Sequence, residues 1–154
     1  MHATNKYQIC HIVSLTLCLV IIIINQRGGR FKTLISNNLP NNIISVIFGS
    51  DYNQQTNNLP SSIVSLTFGE KYNQPTDNLL SSIISLTFGS DYNQPTNSLP
   101  DNITHLTFGW HYNQPTNYLP NNITHLTFGL KYNQPTNNLP SSITNLVFLV
   151  IITN

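Results

Sequence analysis

Charge is what this chain most lacks. Asp, Glu, Lys and Arg make up 7% of its 154 residues, against about 25% in an ordinary soluble domain. With a net charge of +1 there is no basic field to gather phosphates, which argues against a general nucleic-acid binder. The acidic residues are scattered and form no carboxylate pair for acid–base work. Cysteine is nearly absent. Cys10 and Cys18 are too few for a disulfide scaffold and do not stand at a zinc-binding spacing. Set in an apolar segment, they read as small buried hydrophobes rather than reactive thiols. No glycine-rich loop opens a helix, so no phosphate cradle is visible. No serine has a distinctive acid–base partner. These absences predict a chain that is not an enzyme and that carries no cofactor.

What is present is repetition. Leu39, Leu59, Leu79, Leu99, Leu119 and Leu139 stand 20 residues apart. Ile43 to Ile143 and Phe48 to Phe148 recur with the same period, as do Gly49 to Gly129 and Tyr52 to Tyr132. The unit reads LPSSITHLTFGxxYNQPTNN and runs without insertion over residues 39–148. A strict short period predicts a solenoid in which each unit is one coil, giving a β-rich fold with a stacked parallel sheet. Hydrophobic content is 40%, enough for a core.

Within a unit, Ile63-Val-Ser-Leu-Thr-Phe68 is β-branched and apolar and stops at Gly69, which predicts a short strand. Ile63, Leu66 and Phe68 should face inward with Leu59 and part of Tyr72, and Ser65 and Thr67 should face out. Pro60, Gly69 and Asn73 supply turn chemistry. About one residue in seven is asparagine, and Asn at the same position of every coil could form an amide ladder. One coil buries too little to order itself, so the coils must stack.

At these residues the chain resembles the FNIP-repeat family, whose leucine-rich-repeat-like repeats occur in social amoebae and in large DNA viruses of amoebae. The resemblance covers about residues 39–148. It is carried best by Ile103-Thr-His-Leu-Thr-Phe-Gly109 and Tyr112-Asn-Gln-Pro115, and by their counterparts Ile123–Gly129 and Tyr132–Pro135. Typical members have Phe-Asn-Gln-Pro-Ile and a slightly longer repeat, where this chain has Tyr-Asn-Gln-Pro-Thr. The resemblance implies a leucine-rich-repeat-like fold and a role in protein–protein binding. Some viral members resemble substrate adaptors with an F-box ahead of the repeats. Residues 1–38 do not read as a helical bundle, so that link is weak here.

The two ends depart from the unit. Tyr7 to Gln26 carries no Asp, Glu, Lys or Arg. At this length it is a borderline membrane helix, and Arg27, Arg30 and Lys32 after it would place the repeats on the cytoplasmic side. A cleaved signal peptide is disfavoured because no small-x-small site follows Ile24. The competing reading is a degenerate repeat or strand-like cap. His11-Ile-Val-Ser-Leu-Thr-Leu17 echoes Ser62-Ile-Val-Ser-Leu-Thr-Phe68, and Ile21–Ile24 is β-branched. The chain thus divides into an N-terminal segment, 1–38, and a repeat array, 39–154. At the other end Phe148-Leu-Val-Ile-Ile-Thr-Asn154 replaces the glycine corner with an apolar run, either a decayed repeat or an edge for self-association.

In a repeat array, function is expected where the units differ. The outward strand position reads Ser45, Ser65, Ser85, His105, His125, Asn145, and the corner after glycine reads Trp110-His111 in one coil. Tyr118 replaces Asn or Ser in a further turn. His105, Trp110, His111, Tyr118 and His125 are therefore the candidate partner-binding face, with Ser65, Thr67, Ser85 and Thr87 continuing it. His105 and His125 should lie about 5 Å apart. No cysteine or carboxylate stands at an equivalent position to complete a zinc site, and Asp101 lies in a turn, so no metal is expected. Asn102-Ile-Thr104 and Asn122-Ile-Thr124 are glycosylation acceptors in form, generated by the repeat itself. The expectation is a non-enzymatic protein-binding scaffold with an unknown protein partner, in the host cytoplasm. A membrane-anchored version of the same module and a decayed repeat protein without function are the alternatives.

Overall fold

A computed structural model describes residues 41–57 and 59–150, and the backbone of 21–24. The described chain winds as a β-solenoid. Seven strands form one parallel sheet in sequence order: β1 (Ile21–Ile24), β2 (Ser45–Phe48), β3 (Ser65–Thr67), β4 (Ser85–Thr87), β5 (His105–Thr107), β6 (His125–Phe128) and β7 (Asn145–Phe148). From β2 onward the register is that of the repeat: Ser65 pairs with Ser85, Ser85 with His105, and His105 with His125.

Parallel strands usually need a helical crossover, and here three tight turns replace it. The Ile63, Tyr72 and Leu79 amides each donate to the carbonyl three residues back, on Pro60, Gly69 and Thr76, at 3.2–3.3 Å. Pro60 fits the first turn because its fixed φ suits a turn and it has no N–H to leave unpaired. The coil is thus three-cornered, with the strand on one side. That Pro60–Ile63 turn also explains why the strand is shorter than the predicted 63–68 stretch. Ile63 is still in the corner when it points inward, and the ladder begins at Val64 and Ser65, whose amides share the Ile44 carbonyl.

Alternation along the strand is as expected. Ile63, Leu66 and Phe68 are buried and Ser65 and Thr67 are half-exposed. Tyr72 exceeds its expectation, being wholly buried rather than partly so. Its ring lies flat on Phe68 with centroids 3.6 Å apart, and the pairs Phe88/Tyr92, Phe108/Tyr112 and Phe128/Tyr132 repeat this at 3.6–3.7 Å. Phe also stacks on Phe of the next coil at 5.3–5.7 Å, and Tyr on Tyr at 6.0–6.2 Å. Two interlocked aromatic columns therefore run the length of the core, each contact adding specific ring–ring attraction to area burial.

The corner glycines set how closely coils approach. A Cβ on Gly109 would lie 2.1 Å from the Gly89 carbonyl oxygen, and Gly69, Gly89 and Gly129 are in the same position against the coil before them. No side chain fits between the two backbones there.

The asparagine ladder exists in altered form. Asn73 Oδ1 accepts from the Asn93 backbone N–H at 2.9 Å and from Gln94 Nε2 at 3.1 Å. Asn53, Asn93 and Asn113 do the same in their own coils. The side chain thus reaches to the next coil's backbone rather than to the next asparagine's amide, because Tyr-Asn-Gln turns its amide toward the preceding coil and needs an acceptor there. Side-chain amide pairs also form, between Asn57 and Asn78 and between Asn117 and Asn138.

At the N-terminal end, Ile21–Ile24 forms a strand beside β2, with Ile21 opposite Ser45 and Ile24 opposite Phe48. This separation of 24 residues exceeds the 20-residue repeat. Ile21–Ile24 is therefore extended rather than helical. The rest of the 7–26 stretch, and the His11–Leu17 echo, lie outside the described residues. Among the described residues no helix is long and apolar enough to cross a membrane.

Candidate functional site

The five residues singled out by their departure from the repeat occupy three stations of the coil. His105 and His125 open β5 and β6 on the outer face of the sheet. Trp110 and His111 form the corner after Gly109. Tyr118 stands in the turn between Thr116 and Leu119.

The structure brings His105 and His125 together. Their rings stack with centroids 4.3 Å apart and planes 10° from parallel. Each Nδ1 lies 2.8–2.9 Å from the hydroxyl of the threonine before it, Thr104 or Thr124. Thr124 Oγ1 also donates to the Thr104 carbonyl at 3.2 Å. Parallel rings direct their in-plane lone pairs side by side rather than toward one point, so the pair does not converge on a single ion. Among the described residues no group of three or more His, Cys, Asp or Glu side chains could hold a metal.

His111 belongs to a column of the corner that reads Asp51, Lys71, Asp91, His111, Lys131. Its amide donates to the Ser90 carbonyl at 2.9 Å, its Nδ1 lies 3.0 Å from the same oxygen, and Asp91 Oδ1 is 3.5 Å away. Lys71 bonds Asp51 at 2.7 Å, and that hydrogen bond holds the exposed ammonium above its ordinary pKa. Charges of both signs thus stand along the column, on Asp51, Lys71, Asp91 and Lys131. Next to His111, Trp110 is 43% exposed, and Tyr118 in its own turn is 68% exposed. Neither ring stacks on another among the described residues. Ser65, Thr67, Ser85 and Thr87 continue the sheet face as half-buried outward side chains.

The glycosylation-like asparagines are engaged structurally. Asn102 Nδ2 donates to the Ser81 carbonyl and Asn122 Nδ2 to the Asp101 carbonyl, both at 2.7 Å. At positions 62, 82 and 142 a serine stands here instead and clasps the preceding coil at a different carbonyl. Ser62, Ser82 and Ser142 donate to the Ile43, Ile63 and Ile123 carbonyls at 2.6–2.7 Å.

Sequence reasoning missed the buried threonines. Thr76, Thr96 and Thr116 are at most 2% exposed. Thr96 bonds the Tyr112 hydroxyl at 3.1 Å and Thr116 bonds that of Tyr132 at 2.9 Å. Thr56 faces Tyr72 and Thr76 faces Tyr92 in the same way without closing to a hydrogen bond, which leaves the Tyr72 and Tyr92 hydroxyls unpaired. The available signal was constancy. Thr56, Thr76, Thr96, Thr116 and Thr136 never change, while the residues after them do.

The FNIP Repeat family model matches residues 32–71, 95–131 and 115–149. No curated protein matches the chain significantly.

Proposed function

The chain belongs to the FNIP-repeat family, and from that premise we propose that it is a non-enzymatic scaffold for protein–protein interaction. One observation carries this reading. The residues that repeat are those that build the core and the inter-coil bonds, while the larger departures sit on exposed positions of two adjacent coils. His105 and His125 stand side by side on the sheet face, and Trp110 and His111 are exposed at the corner that follows β5. Tyr118, one corner further on, is a separate contact for a large partner. A tryptophan and paired imidazoles on a rigid, nearly charge-free support are suited to a protein hot spot. The ring nitrogens not held by the threonines are left for hydrogen bonds to a partner. The host cytoplasm is the compartment we favour for this encounter.

The test is a paired pull-down from the native cell. The tagged chain is compared with a variant in which His105, Trp110, His111 and His125 are all serine, and circular dichroism establishes that both are folded. A partner retained by the first and lost by the second is the expected result. The same partners on both, or none on either, would overturn the assignment. Tyr118→Ser alone is expected to weaken retention less than the fourfold change.

A further inference from the structure

Each inner strand is hydrogen-bonded on both edges. The Phe68, Phe88 and Phe108 amides donate to the Thr87, Thr107 and Thr127 carbonyls of the next coil at 2.8–2.9 Å. At β7 and just after it, the Asn145 and Leu149 amides bond backward, donating to Thr124 and Phe128 at 2.9–3.0 Å. Backbone groups alternate in direction along a strand, so Leu146 and Phe148 aim their N–H and C=O groups away from β6. β7 is the last strand of the sheet, and among the described residues nothing lies beyond it.

The side chains tell the same story. Leu126 and Phe128 are 1% and 0% exposed, whereas their equivalents Leu146 and Phe148 are 41% and 43% exposed. Val147, Leu149 and Val150 add further apolar surface. A contiguous patch of several hundred Å² marks an interaction site on a soluble protein. Exposed edges are normally protected by a charge, a proline or a bulge. Residues 145–150, Asn-Leu-Val-Phe-Leu-Val, have neither charge nor proline.

We propose that two copies of this chain associate through β7, antiparallel, about a two-fold axis that passes through Val147. Pleat parity fixes the register. Leu146 and Phe148 point into the core and Val147 points out, and opposed residues must point to the same face. The axis must therefore cross a residue, not a peptide bond. Placed on Val147, it sets Leu146 opposite the second copy's Phe148, and each such pair exchanges two hydrogen bonds. All the edge groups of Leu146 and Phe148 are then satisfied, and the two open ends of the core close on each other. The head-to-tail alternative joins β7 to β1, where Ile24 stands in place of the stacking phenylalanine, so the aromatic column would find no ring. A self-complementary contact closes at two copies. Two such patches bury on the order of 800 Å² together, at the small end of specific interfaces, so a micromolar Kd is expected.

The test is made on the full chain with Cys10 and Cys18 changed to serine. Light scattering across micromolar concentrations should pass from the mass of one copy to that of two, and Val147→Lys should abolish the larger species. Under mild oxidation Val147→Cys should form a covalent dimer. Its Cα would lie about 4.5 Å from its symmetry mate, inside the roughly 4.4–6.8 Å range of disulfides. Asn145→Cys, about 13 Å from its own mate at strand rise, should not. A monomer at every concentration would overturn the proposal. So would species that grow beyond two copies, or equal cross-linking at both positions. None of these outcomes bears on the His105–His125 face.

Discussion

At the scale of the residue, one hydroxyl decides whether a buried tyrosine is an asset. Tyr112 shares a hydrogen bond with buried Thr96, while the Tyr92 hydroxyl has no partner. Removing one member of a buried pair strands the other, at about 1–3 kcal/mol, whereas removing an unpaired group costs little or helps. Tyr112→Phe should therefore destabilise the chain by about 1–2 kcal/mol and Tyr92→Phe by far less. Urea unfolding of the two variants side by side checks this, and equal losses would refute it. Glycine at the corner is stricter. Gly109→Ala drives a methyl into the Gly89 carbonyl, so the coils must part, and a loss above about 3 kcal/mol is expected in the same measurement. The inward set Ile63, Leu66 and Phe68 was legible in the sequence because strand alternation and hydropathy point the same way. Thr96 was not, because threonine after a proline reads as exposed turn. Only the aromatic column beside it makes a buried hydroxyl affordable. Asn102 was not either: its sequence context spells a modification site, and only the coil stacked against it reveals the carbonyl that its amide holds.

At the scale of the element, the tyrosine column is a titratable structure. Burial is the leading cause that pushes the Tyr52 and Tyr112 phenols up to about 12, and it drives Tyr72 and Tyr92 higher still. In the unfolded chain tyrosine ionises near pH 10. The folded state therefore holds protons that the unfolded state releases. The stabilisation is fully present below pH 10 and is lost as pH rises toward 12, by up to about 1.4 kcal/mol per unit for each such tyrosine. Tyrosinate absorbance should appear together with loss of the β-sheet dichroism between pH 10 and 12. Measured with Tyr7 and Tyr118 changed to Phe, so that only the column is read, tyrosinate forming while the sheet persists would mean that the column is open to water. The candidate face was legible at this scale, since outward strand and corner positions follow from periodicity. That His105 and His125 are neighbours was legible too, because equivalent positions in adjacent coils lie side by side, whereas the stacking of their rings was not. The division of the five residues over strand, glycine corner and a further turn was legible as well, because Gly109 and the turn residues after it mark those stations. β1 was legible as a β-branched run, but its register, 24 residues from β2, is one that a 20-residue period could not supply.

At the scale of the molecule, the coils are nearly interchangeable, since each meets its neighbours through the same glycine contact, ring stacks and side-chain clasps. Stability is then close to a sum over coils and interfaces. Deleting residues 81–100 joins Leu80 to Asp101 and restores the same repeat phase. The shortened chain should fold with the same β-type dichroism and a modestly lower Tm. Deleting ten residues instead should abolish cooperative unfolding, because every inward side chain beyond the cut would lose its place. The same geometry bears on how such a gene can change. A duplication or loss of one whole repeat preserves the reading frame and the stacking register at once, so unequal recombination between near-identical segments yields products that fold. Slippage by any smaller number of codons breaks the stack. The corner glycines thus act on the lineage as well as on the molecule: they make length a quantity that evolves in whole steps.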